Sequence, residues 1–269
     1  MASKKSPGKK FFLKLLFVCA GCSLLYIFWL PDVSRYAHKN PDTTAYIELR
    51  KQQSAAKGKK LKVQLKWRDL SAISPNLVHA VIIAEDEAFY RHHGIDWKEM
   101  RIALETDLQK HRFAYGGSTI TQQLARNLYL SPSKNPLRKI KEALIARLLE
   151  RKLGKTRILE IYLNVAEWGN GIFGAQAAAN VYFGKSASDL SPEEAVALVS
   201  ILPSPRKWSP FSSGRKLEHR RDNILMRMYR SGYLTDEAAA LLADTQDTTL
   251  SPSTSGQATV PVSTGTVVP

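Results

Sequence analysis

Ala84-Glu85-Asp86-Glu87-Ala88-Phe89-Tyr90-Arg91-His92-His93-Gly94 is the stretch on which the reading of this chain turns. Upstream of it, Ser74-Pro75 is a strong helix start: a capping hydroxyl, then a proline whose missing N–H costs nothing at the first helical position. From there Leu77, Val81 and Ala84 recur at helical spacing and mark an apolar face. Glu85 falls four residues after Val81, so a face that should enter the core ends in a carboxylate, and Phe89 is expected to continue that face one turn later. Partial burial disfavours the charged form of a carboxylate and raises its pKa, which suits it to proton transfer near neutral pH. The competing reading is a solvated glutamate on a helix surface, and the motif alone does not decide between them. His92 is expected to order the loop that follows.

Two further stretches carry chemistry. In Ser118-Thr119-Ile120-Thr121-Gln122-Gln123-Leu124-Ala125-Arg126-Asn127, the residues Thr119, Gln123, Arg126 and Asn127 form one polar stripe, while Ile120, Leu124 and Leu128 form an apolar one. Amides, a hydroxyl and an arginine suit sugar hydroxyls and phosphate oxygens better than a merely solvated face would. The N–H groups after Gly116-Gly117 are open to an anion. Downstream, Glu142 stands at helical spacing from Arg138 and Lys139. That pattern fits ordinary surface ion pairing as well as it fits a carboxylate held ionised by cations that also meet an anionic group.

Three look-alike motifs fail on context. Gly169-Asn170-Gly171-Ile172-Phe173-Gly174 has dinucleotide-binding spacing but no surrounding βαβ unit. Ser131-Pro132-Ser133-Lys134 lacks the Lys-Thr-Gly companion that a serine acylase needs. His92 and His93 are adjacent, the wrong spacing for two metal ligands on one helix face.

Outside these stretches the chain divides by composition. Residues 1–10 are a basic tail and residues 11–30 an apolar run broken only by Lys14, long enough for a hydrocarbon core of about 30 Å. Tyr26, Phe28, Trp29, Leu30 and Pro31 stand where a signal-peptide cleavage site would lie, so the run reads as an uncleaved anchor. Its lysines should stay in the cytoplasm and place the rest on the outer face. Residues 31–60 read as a polar juxtamembrane stalk, 61–243 as one mainly α-helical domain, and 244–269 as a disordered Ser/Thr/Pro tail. Both cysteines lie in the apolar run, so the outer domain has no disulfide. Net charge is +15; the five lysines up to Lys14 supply five of it, leaving +10 that suits anionic lipid or a phosphorylated substrate. An exported chain seldom meets nucleic acid.

Within the domain, helices are expected from Ser74 to Ala84, from a Ser118 cap to Leu130, from Asn135-Pro136 to Gly154, from Thr156 to Val165, over Ala175–Tyr182, from Ser191 to Leu202, over Arg220–Arg230 and over Thr235–Ala243. Val63, Leu65 and Trp67 alternate as in a short strand. Met100 to Tyr115 interleaves Arg101, Lys110 and Arg112 with Ile102, Leu104 and Phe113, a pattern that fits a mobile segment touching the bilayer or a lipid tail as well as it fits an exposed loop of no function.

In order and spacing these segments resemble the peptidoglycan glycosyltransferases of family 51, in the monofunctional, singly anchored form. The motif E-D-x-x-F-x-x-H-x-G matches Glu85, Asp86, Phe89, His92 and Gly94; G-G-S-T-I-T-Q-Q matches Gly116 to Gln123, continuing to Asn127. R-K-x-x-E matches Arg138, Lys139 and Glu142, K-x-x-I-L-E-x-Y-L-N matches Lys155 to Asn164, and a looser fifth motif matches Arg220 to Met228. Arg126 stands where the family often has lysine; it keeps the charge and changes how a phosphate would be gripped.

The resemblance implies a lysozyme-like α-helical fold in two lobes, the smaller against the membrane, that polymerises lipid II onto a growing glycan strand with inversion and release of undecaprenyl pyrophosphate. It casts Glu85 as general base and Glu142 as the second catalytic carboxylate. Asp86, Phe89, His92, Ser118, Thr119, Gln122, Gln123, Arg126, Asn127, Arg138 and Lys139 become substrate-binding residues. A divalent cation, Mg or Mn, is an expectation at the pyrophosphate, and no other cofactor is called for. Membrane lipids, other cell-wall synthases and division proteins are the expected partners, at the outer face of the bacterial cytoplasmic membrane. Two rivals stay open: a lysozyme-like hydrolase or lytic transglycosylase, which accounts for Glu85 but not the cations about Glu142, and a non-catalytic anchored glycan-binding protein, which needs no Glu85. With no acylase motif before the polar tail, a bifunctional penicillin-binding protein is not expected.

Overall fold

A computed structural model describes residues 7–109, 117–133 and 135–234. Helix α1 (Pro7–Phe28) starts inside the basic tail, and its Phe11–Phe28 portion has a mean hydropathy of 2.2 with none of it buried, long and apolar enough to cross a membrane. Residues 33–55, expected as a stalk, instead pack into the body. Thr44 caps α2 (Ala45–Ala55) by accepting from the Ile47 N–H at 3.1 Å, and Val33, Tyr36 and Ile47 are buried. The segment's few apolar residues are too sparse to make a period, but Val33, Tyr36 and Ile47 reach the core.

The remaining elements follow the apolar spacing closely. They are β1 (Gln64–Leu65), α3 (Pro75–Glu85), α4 (Trp97–Gln109), α5 (Ile120–Tyr129), α6 (Pro136–Leu153), α7 (Lys155–Val165), β2 (Glu167–Gly169), β3 (Ile172–Phe173), α8 (Ala175–Phe183), α9 (Pro192–Ile201) and α10 (Arg215–Arg230). Ser74 caps α3, and Ser191 with Glu194 closes a capping box on α9, as their sequences require. The helix after the double glycine is capped by Thr119 and not Ser118: Thr119 accepts from the Gln122 N–H and Gln122 returns its carbonyl to the Thr119 N–H, both at 3.1 Å. That exchange frees Ser118 for other work. α10 begins five residues earlier than Arg220. The Thr235–Ala243 helix and the 244–269 tail lie outside the described residues.

Two packed groups make the core. α3 lies against α9 and α10, burying Leu77, Val81, Ile83, Val196 and Val199; α5 lies against α2, α6 and α7, burying Ile120, Leu124, Ile145, Leu149, Ile158 and Ile161. The strands form a small sheet ordered β1-β3-β2, β1 parallel and β2 antiparallel to β3. The glycine-rich run rejected as a nucleotide loop is this hairpin. Gly174 has φ 84°, and a Cβ there would strike the Asn164 backbone at the end of α7, so only glycine lets the hairpin close on that helix. α4 leaves Trp97, Met100, Ile102, Leu104 and Leu108 exposed on a charged helix; the rest of the expected bilayer-touching segment, from 110, lies outside the described residues.

Candidate active site

Helix α3 ends at Glu85 because the next residue leaves helical space: Asp86 has φ −167° and ψ 73°. The apolar face does not continue to Phe89 as one helix. Phe89 sits in a separate 3-10 turn (Phe89–Arg91), fully buried beneath the site. Glu85 is thus a terminal side chain on a rigid, buried helix, projecting into a cavity of about 950 Å³ that Gln123, Arg126, Asn127, Arg138, Tyr162 and Arg220 also line.

The Glu85 carboxylate is 14% exposed and held from two sides. Gln123 Nε2 donates to Oε2 at 2.9 Å, and Arg220 Nη2 pairs with Oε1 at 3.0 Å. Burial raises its pKa above the ordinary value of 4.5, and the Gln123 hydrogen bond and the charges of Arg220 and Arg126 pull against that rise without cancelling it. Tyr162 O–H donates to Gln123 Oε1 at 3.0 Å, which turns the amide nitrogen toward Glu85. Burial and the Glu85 charge hold the Tyr162 phenol well above its usual pKa, so it stays a donor.

Asp86 has a different task. His92 Nε2 lies 2.8 Å from its Oδ1, and its Oδ2 accepts from the Ile120 N–H at 3.0 Å, at the start of α5 where a carboxylate also meets the helix dipole. Thr119 Oγ1 donates to the Gly94 carbonyl at 2.7 Å. The Glu85 stretch and the Gln123 helix are therefore riveted together across the excursion between Gly94 and Thr119, which sets the distance from Glu85 to Gln123. An Asp86→Ala substitution strands a buried N–H and should cost about 2 kcal/mol. In a domain of this size the thermal midpoint then falls by roughly 4–8 °C in a melting scan.

The second carboxylate, Glu142, has no exposed surface. Arg138 pairs with its Oε2, Lys139 Nζ with its Oε1 at 2.6 Å, and Arg126 Nη1 approaches to 3.9 Å. Lys139 also donates to Ser118 Oγ at 2.7 Å, the hydroxyl the capping box left free. Arg126, Arg138 and Ser118 face the cavity, with Glu142 behind them. One buried anion thus gathers three cations beside a cavity that a second carboxylate, Glu85, also lines.

The transglycosylase family model matches residues 52–229. The chain belongs to the transglycosylase family. Three relatives, each named a biosynthetic peptidoglycan transglycosylase, show how far the likeness extends. That of Aromatoleum aromaticum is 46% identical over 209 residues, 77% of this chain and 91% of the relative. That of Nitrosospira multiformis is 41% identical over 221 residues, 82% and 96% of the two chains, and that of Alcanivorax borkumensis 48% over 197 residues, 73% and 77%.

Against this transglycosylase site the sequence expectations sort themselves by position. Glu85, Gln123, Arg126, Asn127, Arg138 and Ser118 converge on the large cavity. Phe89, His92 and Gln122 line neither it nor the smaller 230 Å³ cavity beside it, where Asp86 and Thr119 appear; all five are buried or nearly so, and their polar atoms bond to the protein. They position the site. Glu142 and Lys139 line neither cavity: Glu142 lies behind Arg126 and Arg138 with which it pairs, and Lys139 bonds to Glu142 and Ser118. Arg220, Tyr162, Tyr46 and Glu167 also line the cavity and were not singled out as site residues. Arg220 and Tyr162 fall inside the fifth and fourth motifs, and that was the available signal. Tyr46 and Glu167 carry none.

Proposed function

We infer that this peptidoglycan transglycosylase builds glycan strands from lipid II. The observation that carries the reading is the pairing, on the walls of one cavity, of a half-buried carboxylate of raised pKa with a cluster of cations. A hydrolase needs the first and has no use for the second.

In the reaction the acceptor sugar's 4-hydroxyl oxygen forms a bond to C1 of the donor sugar, the bond from C1 to the pyrophosphate oxygen breaks, and the hydroxyl proton passes to Glu85. Attack opposite the leaving group inverts C1, as in inverting glycosidases, with a sugar hydroxyl in place of water. Gln123 and Arg220 hold the Glu85 carboxylate in one orientation, and a hydrogen-bonded base in a fixed position needs no reorganisation when the proton moves. Arg126 and Arg138 meet the negative charge that grows on the departing pyrophosphate, and an arginine fork suits phosphate oxygens. A +10 surplus outside the anchor favours the same anionic substrate at an anionic membrane.

A resident divalent cation does not fit these side chains. Among the described residues no group of three His, Cys, Asp or Glu converges, and both Glu142 oxygens are engaged by cations. No step is assigned to a metal. The anchor helix and its lysines favour an orientation with the domain on the outer face of the cytoplasmic membrane, among other cell-wall synthases and division proteins.

The test is direct: purified protein in detergent, given lipid II, should produce long glycan strands, whereas degradation of preformed glycan without synthesis would overturn the reading. The pH profile gives a second check. Glu85 must be ionised to accept a proton, so kcat/KM should fall as pH drops through its folded pKa, and the acid limb should lie above 4.5.

A further inference from the structure

We propose that Lys141, Tyr129 and Arg157 are positioning residues: they mount the domain rigidly on its anchor and so keep the pyrophosphate-binding cations at the level of the lipid headgroups. The inference rests on the lipid II reading above and says how that substrate is met. Only Trp29, Leu30, Pro31 and Asp32 separate the end of α1 from Val33, the first buried residue of the body. That stretch reaches roughly 18 Å even when fully extended. The anchor is also docked. Ser23 and Ile27, one turn apart on α1, and Leu30 just beyond it are half-buried, while the residues around them are exposed. α1 packs against α6 there, and Lys141 Nζ of α6 sits 4.2 Å from the centre of the Tyr26 ring.

Past the anchor the chain is pinned, step by step, to elements that carry the site. Tyr129 Oη donates to the Asp32 carbonyl at 3.3 Å, and its ring packs 6.1 Å from that of Tyr36. Arg157 Nε donates to the Tyr36 carbonyl at 2.8 Å and its Nη2 to Asn40 Oδ1 at 2.7 Å. Arg50 of α2 pairs with Glu167 on the cavity wall at 2.7 Å. Tyr129 stands three residues after Arg126 on α5, and Lys141 three after Arg138 on α6. The mount therefore holds the same two helices that present Arg126 and Arg138 to the cavity. Tyr26, Phe28 and Trp29, aromatic and exposed, mark the depth of the headgroups. A lipid-linked pyrophosphate lies at that depth, because its tail stays in hydrocarbon and its charge stays in water. Cations fixed there meet it without lifting the tail, and orientation settled before the encounter is not lost again on binding.

The experiment frees the anchor from its mount without touching the cavity. Full-length protein carrying Lys141→Ala receives a flexible Gly/Ser insertion of about ten residues, with a mean span of roughly 16–19 Å, between Leu30 and Pro31. A control has the same insertion between Lys59 and Lys60, both exposed, where anchor and mount stay together. Each protein is given lipid II in phospholipid vesicles and, in detergent, an analogue whose tail is short enough to stay in water. Expected for the freed anchor is a roughly tenfold higher KM in vesicles at unchanged kcat, with wild-type kinetics on the short-tailed analogue and an unchanged thermal midpoint. The control should match wild type on both. An unchanged KM in vesicles, an equal loss on both substrates, or the same loss in the control would overturn the proposal. Should the freed-anchor protein fail to fold, Tyr129→Phe with Arg157→Lys decides. It keeps chain length and charge, removes the bonds to Asp32 and Asn40, and should raise KM several-fold in vesicles alone; an unchanged KM overturns the mount. Wild-type protein that makes no glycan from either substrate refutes the lipid II reading instead.

Discussion

Glu85→Gln protein, supplied with lipid II, should polymerise it at least about 100-fold more slowly than wild type, the lower bound of what a positioned general base contributes. Glutamine keeps the shape and can still accept from Gln123 or Arg220, so the cavity survives while its proton acceptor is gone. Stability should move the other way. Because the folded pKa of Glu85 lies above 4.5, its contribution to stability is full below that value and is lost as pH rises through the folded pKa. Above that folded pKa wild type carries an ionised, desolvated carboxylate as a burden that the variant lacks. A melting scan run at a pH above the acid limb of the activity profile should show Glu85→Gln no less stable than wild type. Activity unchanged by the substitution would remove Glu85 from the role of base. A lower midpoint would mean that the Arg220 ion pair outweighs desolvation.

Glu142→Gln should damage both activity and stability. With no exposed surface and both oxygens in ion pairs, this carboxylate is the one anion holding Arg126, Arg138 and Lys139 together. Removing one partner of a buried pair leaves uncompensated charge and costs about 3 kcal/mol, or roughly 6–12 °C in midpoint for a domain of this size. The exposure of Lys139 and the partial exposure of Arg126 keep the cost at the low end. Turnover measured well below the variant's midpoint should still fall by about 100-fold, because the cations spread and no longer meet the leaving group in one place. A variant that melts early but turns over normally when folded would make Glu142 a structural residue alone. Complete burial is what adds the loss of stability to the loss of turnover.

Which parts of this site could be read in advance follows from how far each contact reaches. The helices came from apolar spacing and caps, so the placement of Glu85 at the end of α3, and of Gln123 and Arg126 on the outward stripe of α5, needed only local rules. The grouping of Arg138, Lys139 and Glu142 was legible for the same reason, being contacts of one helical turn. Contacts across the chain were not. Arg220 lies 135 residues from the carboxylate it grips, and Arg50 lies 117 residues from Glu167. α2 hid its role because a helix with one buried isoleucine among charged and polar residues looks like solvent-exposed linker. The capping box was a local signal passed over: Gln122 stands three residues after Thr119, as the box requires, whereas Thr121 stands three after Ser118.

The rivet between Gly94 and Thr119 has an architectural consequence. The hydroxyl-to-carbonyl bond of 2.7 Å, backed by Asp86 accepting from the Ile120 N–H, ties the two walls of the reaction chamber to each other and not to α4 (Trp97–Gln109). Substitutions on the exposed apolar face of α4 should therefore leave the spacing of those walls as it was. A reporter attached at Leu104 or Leu108, both exposed on α4, would likewise leave the chemistry's geometry in place.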